Sequence, residues 1–302
     1  MAHRQPIKIP VLLFLLCFLI DSYGQENKKQ DWFFNNSKSM SELWELDEEY
    51  HRGNFVITSY KPIYLSLAKF TTNTNKFPVA ENSIKIPDSP IDLDPVEAKF
   101  QLSLKTKIIH NMLGNRMDLW VAYSQTAYWQ IYNTKLSRPF REVNYQPEII
   151  ANFPIKFPLL GFNARMLGVA LVHESNGQSD PISRSWNRII FHAGFERNNW
   201  QVMLKPWIRL GSSIDDNEDI TNFMGRGEAN IVYDWGRQRF MAVLRNSLHF
   251  KSANRGSIQL NWSFPILKNL NGHLQFFDGY GETLIDYNHR QTTLGFGVSL
   301  IN

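Results

Sequence analysis

Hydrophobic and polar side chains alternate with a period of two in many short segments of this chain. Near the C-terminus, Leu294, Phe296, Val298 and Leu300 alternate with small or polar residues. Successive side chains of a β-strand point to opposite faces of the sheet, so each such segment has one apolar and one polar face. The pattern predicts an all-β fold.

About twelve segments share this alternation, and stretches that favour turns separate them. An even number of strands is what a closed bacterial membrane barrel requires. The pattern therefore predicts a twelve-stranded antiparallel transmembrane β-barrel. The predicted strands cover residues 54–69, 97–108, 117–131, 146–157, 163–176, 184–197, 199–210, 220–235, 237–250, 254–264, 270–280 and 290–301.

Soluble β-sandwiches also alternate, but the charges on the polar face favour the barrel. Lys205, Arg226 and Glu228 would be costly in a packed core, whereas in a barrel lumen they can pair and contact water. Aromatic residues make up 14% of the chain and cluster near the ends of the segments. Membrane barrels have aromatic side chains at both membrane interfaces, which agrees with this distribution.

The first 24 residues have a different pattern, in which Arg4 and Lys8 precede a short apolar run. This run is shorter than the roughly 20 residues that span a bilayer as a helix, and the pattern is typical of a secretory signal peptide. A retained N-terminal anchor is the alternative. We predict a signal peptide at 1–24, a periplasmic segment at 25–50 and an outer membrane barrel at 51–302.

Cysteine content argues against disulfides and thiolate chemistry, and the net charge gives no support for nucleic-acid binding. The only cysteine, Cys17, lies in the predicted signal peptide, so the mature chain would have neither disulfides nor thiolate chemistry. The net charge of +4 is small for a chain of 302 residues. It gives no argument for binding to nucleic acid.

A histidine and a serine lie two residues apart in the predicted strand 163–176. His173 and Ser175 share a face, and they continue a row of large apolar side chains that ends at Leu171. That row would face lipid. Polar groups at this place suit an enzyme whose substrate is a membrane lipid.

Nucleophilic hydrolysis needs a hydroxyl, a base and a third group that orients the base. Ser175 and His173 supply the first two, and Asn187, in phase with Ile189 and Phe191 on the next strand, could supply the third. Asn187 can orient an imidazole but carries no charge to stabilise imidazolium. Glu174 points to the opposite face, which favours a lumen position for it.

The alternative is that His173 and Ser175 belong only to a polar belt at the membrane interface. The spacing of the residues does not decide between these two interpretations.

Residues 173–188 read His-Glu-Ser-Asn-Gly-Gln-Ser-Asp-Pro-Ile-Ser-Arg-Ser-Trp-Asn-Arg. This segment resembles the signature of bacterial outer membrane phospholipase A, and the resemblance extends from about Phe100 to the C-terminus. Further matching segments occur in the same order. They are Tyr128-Trp129-Gln130, Pro139-Phe140-Arg141-Glu142, Asn144-Tyr145, Lys205-Pro206-Trp207, Asp215-Asp216-Asn217, Asp219-Ile220, Gly279-Tyr280-Gly281-Glu282 and Leu284-Ile285-Asp286-Tyr287-Asn288.

The resemblance implies a twelve-stranded barrel with Ser175 as nucleophile, His173 as general base and Asn187 as the orienting residue. It also implies an active homodimer that needs Ca²⁺, an ion that prefers oxygen ligands. The implied ligands of this ion are Gln178, Ser183 and, from the other chain, Ser137.

Three further roles follow from the same resemblance. Gly177 would be the oxyanion donor through its backbone N–H. Asp216, with Asp180, would hold a second calcium ion; the alternative is that both are solvated loop carboxylates. Gln125, on the presumed lipid face, would lie at the dimer interface; the alternative is an isolated polar residue near the membrane surface.

Two functions are therefore compared. The first is an outer membrane phospholipase that hydrolyses acyl esters of phospholipids, with A1, A2 and lysophospholipase activity. The second is a non-catalytic barrel, porin-like or structural, whose lumen is lined by charged residues such as Lys205, Arg209, Arg226 and Glu228. Polar groups on the lipid face favour the first.

Overall fold

The computed structural model describes the predicted barrel and the last part of the segment before it, with a few short gaps. The predicted signal peptide with Cys17, the first part of the predicted periplasmic segment, and Asp216 lie outside the described residues. The domain boundaries therefore stay a prediction. The described residues are 38–80, 89–115, 117–211, 217–249 and 254–300.

Strands make up most of the described residues, with three short helices between them. The helices are α1 (Met40–Trp44), α2 (Met112–Asn115) and α3 (Ile220–Met224), and a 3₁₀ turn covers Glu48–Tyr50. The strands are β1 (Ile57–Ser59), β2 (Tyr64–Thr71), β3 (Val96–Asn111), β4 (Met117–Trp129), β5 (Phe140–Leu159), β6 (Phe162–Ser175), β7 (Ser185–Arg197), β8 (Trp200–Leu210), β9 (Gly227–Trp235), β10 (Gln238–Asn246), β11 (Gly256–Pro265), β12 (Leu270–Tyr280) and β13 (Arg290–Leu300).

The sheet is a closed ring of twelve antiparallel strands, β2 to β13. Each strand pairs with its neighbour in sequence, and β13 pairs with β2 to complete the ring. The short β1 also pairs with β3, with Ile57 opposite Thr106. Thus β2 and β1 pair with successive parts of β3. The predicted twelve-stranded barrel is confirmed.

The predicted strand 220–235 is wrong in its first part. Residues Ile220–Met224 form α3, and β9 begins only at Gly227. Gly225 has a φ of +100°, and a Cβ there would lie 2.6 Å from the carbonyl oxygen of Asn246. Phe223 lies in this helix and packs edge-on against Tyr287.

The predicted strand 146–157 is also too short, because β5 begins at Phe140. Arg141, Glu142 and Asn144 give its first residues a largely polar character, which the predicted bounds left outside the strand. Their side chains form hydrogen bonds within the barrel.

The two faces of the strands differ in burial as the alternation predicts. On β6, Leu167 and Leu171 are 46% and 54% exposed on the outer surface. Met166 and Ala170, which point to the lumen, are fully buried. The outer surface is therefore the apolar one.

The two ends of the barrel differ in the length of their connections. At one end β5–β6, β7–β8 and β9–β10 are joined by two residues each, whereas β4–β5, β6–β7 and β12–β13 are joined by nine or ten at the other. Bacterial barrels have short periplasmic turns and longer extracellular loops. The loop after β6 accordingly lies at the extracellular end. Among the described residues, no helix is both long and apolar enough to cross a bilayer.

The helix α1 packs inside the barrel at the end with the short turns. The ring of Trp44 lies edge-on to that of Trp120, with the centroids 5.8 Å apart, and the Nζ of Lys105 lies 3.7 Å above the Trp44 ring. Met40 approaches Gly194 so closely that a Cβ on this glycine would lie 2.5 Å from its Sδ. This part of the predicted periplasmic segment therefore fills the mouth of the lumen.

A buried network of ion pairs occupies the extracellular end of the lumen. Glu97 contacts Lys69 and Arg141, each at 3.0 Å, and Glu282, in the loop between β12 and β13, contacts Lys69 at 3.2 Å. Arg141 also contacts Asp286 of the same loop at 2.7 Å. These pairs hold residues 281–289 across the lumen.

Asp286 makes this loop sensitive to acid. Burial alone would raise its pKa, but the Arg141 guanidinium and hydrogen bonds from Arg141, Asn75 and Thr283 outweigh burial and hold the pKa below its ordinary value of 3.8. A depressed pKa contributes stability above the ordinary value that is lost as the pH falls towards the folded value. We therefore expect residues 281–289 to open below about pH 4.

The variant Asp286→Asn should open the same loop already at neutral pH, at a cost of about 2 kcal/mol. Hydrogen exchange of the amides of 281–289 measures this opening. Asp278→Asn is the control, because Asp278 pairs with the exposed Arg290 at 3.0 Å. Equal exchange in the two variants would contradict the assignment.

Candidate active site

The strands β6 and β7 bring three polar side chains together on the outer surface. His173 is directly opposite Asn187, and both are exposed. The Nδ1 of His173 lies 2.8 Å from the Oδ1 of Asn187. An amide oxygen only accepts, so Nδ1 donates and the lone pair of Nε2 is left available as a base.

Ser175 lies two residues further along β6, on the same face as His173. It is half-buried, and its partners in register are Ser185 on β7 and Tyr145 on β5. The structure thus brings His173, Ser175 and Asn187 to one surface patch, as the alternation predicts. Glu174 points to the lumen, where its Oε2 accepts a hydrogen bond from Trp186.

The loop 176–184 folds around the side chain of Asn176. The Oδ1 of Asn176 accepts from the backbone N–H of Arg184 at 2.9 Å and of Gln178 at 3.3 Å. Its Nδ2 donates to the carbonyl of Ile182 at 2.8 Å. One amide therefore fixes both halves of the loop.

Gly177 adopts a conformation that other residues rarely adopt. Its φ is +63°, and a Cβ there would lie 3.2 Å from the Cε2 of Tyr145. Glycine is favoured at this position because it alone adopts a positive φ without steric cost. Its backbone N–H lies in the chain two residues after Ser175, in the loop that Asn176 fixes.

Three buried residues support this loop, and the sequence analysis gave them no role: Glu142, Asn176 and Arg184. Glu142 accepts from Asn144 at 2.6 Å and from the N–H of Ile285 at 3.0 Å, and it contacts Asn176 at 3.5 Å. The guanidinium of Arg184 donates to the carbonyl of Ser183 at 2.6 Å. The only signal for this arrangement in the sequence is Asn176 at the end of a predicted strand. Its partner Glu142 is distant in the chain, so local sequence does not indicate the contact.

The implied calcium ligands lie on two loops. Gln178, Asp180 and Ser183 belong to the loop 176–184, whereas Ser137 is exposed on the loop between β4 and β5 and has a φ of +61°. Their donors are hydroxyl, carbonyl and carboxylate oxygens, which fit a hard cation. Within the described residues, no group of three or more His, Cys, Asp or Glu side chains could hold a metal. Asp216, the other implied ligand, is not among these residues.

Gln125 lies at the same level of the barrel as Ser175. Gln125 on β4 is opposite Tyr145 on β5, which is in turn opposite Ser175 on β6. Its side chain is half-buried on the outer surface, and its Oε1 accepts from the hydroxyl of Tyr123 at 2.9 Å. An interface through Gln125 would therefore run beside Ser175.

Comparison with known proteins identifies the family of this chain. A family model described as Phospholipase A1 matches residues 40–300. The chain belongs to the phospholipase A1 family. The match begins well before Phe100, so the similarity extends further towards the N-terminus than the sequence motifs indicate and includes α1 and the first strands.

Individual phospholipase A1 relatives and a solved structure support the same assignment. The putative phospholipase A1 of Neisseria meningitidis serogroup B is 37% identical over 266 residues, which cover 86% of this chain and 69% of that protein. Phospholipase A1 of Escherichia coli K12 is 37% identical over 251 residues, 83% of each chain. A Salmonella typhi outer membrane phospholipase, solved as a dimer with bound calcium, superposes with a TM-score of 0.74 at 36% identity and covers 85% of this chain and 95% of that one.

The role of Asn176 is testable. Asn176→Ala removes the hydrogen bonds that fix both halves of the loop, so we expect phospholipase activity to fall by about 10- to 100-fold. Asn176→Asp keeps the two accepted bonds, but it replaces the donor with a carboxylate oxygen that faces the carbonyl of Ile182 and the carboxylate of Glu142. Lipid hydrolysis should therefore fall in both variants, and unchanged activity in either would contradict the role.

Proposed function

We propose that this outer membrane phospholipase hydrolyses acyl ester bonds of phospholipids through Ser175, His173 and Asn187. The observation that carries the proposal is the 2.8 Å contact between His173 and Asn187 on the lipid-facing surface, with Ser175 on the same face. A barrel without catalysis would have no need for such a pair in a row of apolar side chains. We propose A1, A2 and lysophospholipase activity for the same site.

The reaction proceeds in two acyl transfers. The Oγ of Ser175 attacks the ester carbonyl carbon while the Nε2 of His173 takes the hydroxyl proton. The resulting oxyanion accepts a hydrogen bond from the backbone N–H of Gly177. The C–O bond to the lysolipid then breaks, and His173 returns the proton to the leaving oxygen. Water, deprotonated by the Nε2 of His173, then attacks the acyl carbon; the bond to the Oγ of Ser175 breaks, His173 returns the proton to this Oγ, and the fatty acid is released.

Asn187 fixes the tautomer and orientation of His173, but it does not neutralise the imidazolium that forms. We propose that Gln178 and Ser183, with Ser137 of the partner subunit, hold Ca²⁺, which when bound supplies positive charge near the oxyanion. The active form is then a homodimer, with Gln125 at its interface. We propose Asp180 and Asp216 as a second calcium site, and an N-terminal signal peptide for export.

The non-catalytic alternative has less support. The relatives are phospholipases, and α1 and the buried ion pairs occupy the two ends of the lumen. Of the residues that we expected to line a pore, Lys205 and Glu228 contact each other at 3.6 Å. Arg226 precedes β9 and donates to the carbonyl of Ser247.

The serine mechanism and the calcium requirement can be tested together. The protein refolded in micelles should release fatty acid from phosphatidylcholine with calcium and lose this activity in chelator. Ser175→Ala should lower the rate by at least about 10³-fold, while Ser185→Ala, on the opposite strand, serves as control. A wild-type rate in Ser175→Ala would refute the nucleophile; chelator-resistant release would refute the metal requirement.

The shared site predicts complementation between two deficient variants. Ser137 has a positive φ that proline cannot adopt, so Ser137→Pro should displace its oxygens and inactivate the homodimer. Ser137→Gly, which tolerates this φ, is the control. In a mixture of Ser137→Pro and Ser175→Ala, each heterodimer has one complete site, so about a quarter of wild-type activity should return. No recovery would place the calcium ligands within one chain.

A further inference from the structure

The lumen side of β6 and β7 has a second contact directly behind the candidate active site. Glu174 follows His173 on β6, and its Oε2 accepts from the Nε1 of Trp186 at 3.0 Å and from the Nη2 of Arg188 at 2.5 Å. Both donors lie on β7, one on each side of Asn187. The same short stretch of two strands is therefore joined on both faces.

The two donors of this inner contact are buried, Glu174 is half-buried, and aromatic rings pack against the contact. Arg188 is 4% exposed, and its guanidinium carbon lies 3.8 Å from the centroid of the Trp186 ring. Trp186 packs edge-on against Trp207, whose Nε1 donates to the carbonyl of Gly225 at 2.9 Å. The position of Arg188, and hence of its bond to Glu174, is fixed from several sides.

The outer pair has no comparable support. His173 and Asn187 are exposed on the lipid-facing surface, and fluid lipid cannot orient a side chain. The geometry of their contact is thus set by the backbones of β6 and β7. A displacement of 1 Å in a catalytic group can cost about 100-fold in rate.

We infer that Glu174 and Arg188 are positioning residues for the reaction. By joining β6 to β7 on the lumen side, they hold Asn187 at hydrogen-bonding distance from His173 on the outer side. Neither touches the substrate. This inference rests on the proposed function, since it assigns Asn187 the task of orienting the base.

The variant Glu174→Gln tests the inference with little change in shape. Glutamine keeps an oxygen acceptor for Trp186 and removes the charge that pairs with Arg188. We expect kcat to fall about tenfold and KM to stay within about twofold. The rate at which an alkyl sulfonyl fluoride labels Ser175 should fall by the same factor as kcat.

A matched control is a buried carboxylate at the other end of the lumen. Asp234, which is 4% exposed, contacts Arg239 at 2.7 Å, on strands β9 and β10 next to their short turn. Asp234→Asn therefore breaks an ion pair of the same kind and should leave kcat within about twofold of wild type. Equal losses in Glu174→Gln and Asp234→Asn would overturn the inference.

A double-mutant cycle distinguishes positioning from general stabilisation. If Glu174 acts through Asn187, Glu174→Gln should have no further effect on kcat in an Asn187→Ala background. A loss by the same factor in both backgrounds would overturn the inference. Should Glu174→Gln fail to refold, Arg188→Lys, which keeps the charge but loses the planar guanidinium, is judged by the same two comparisons.

The inference and the proposed function fail in different ways. A wild-type rate in Ser175→Ala would refute the proposed function and the inference with it. Activity that depends on Ser175 but is unchanged in Glu174→Gln would refute only the inference.

Discussion

Pairing of β13 with β2 closes the sheet, so each strand of the ring has a hydrogen-bonded neighbour on both sides. In lipid, where no water can satisfy the backbone, closure is what makes a sheet possible. It also divides every strand into a lumen side and a lipid side. The placement of charge, the packing of α1 and the position of the candidate site follow from this division.

Charge lies on the lumen side because only there can it be paired. Buried carboxylates such as Glu97 and Glu282 each contact more than one cation, which offsets the cost of removing them from water. Because Glu282 and Asp286 belong to the loop between β12 and β13, the same pairs bring this loop into the barrel. Glu142, next to Arg141, then connects the loop to Asn176 and so to the candidate site.

The candidate site uses both sides of one pair of strands. Its polar groups are on the lipid side, where a phospholipid can reach them, and the contacts that fix the strands are on the lumen side. The loop 176–184 adds the N–H of Gly177 and several oxygen atoms, and the conformation of this loop depends on Asn176. The candidate site on the outside of the barrel therefore has contacts behind it, in the lumen, and at the extracellular end.

The sequence by itself determined the barrel, the outward face of His173 and Ser175, and the phase of Asn187. Each follows from the period of two, a property that a strand has regardless of its neighbours. Only the tertiary structure decided that His173 is opposite Asn187, that Glu142 meets Asn176 and that α1 enters the lumen. It also showed that the first residues of the predicted strand 220–235 form a helix. These features depend on contacts between residues far apart in the chain, which no local alternation of polar and apolar side chains encodes.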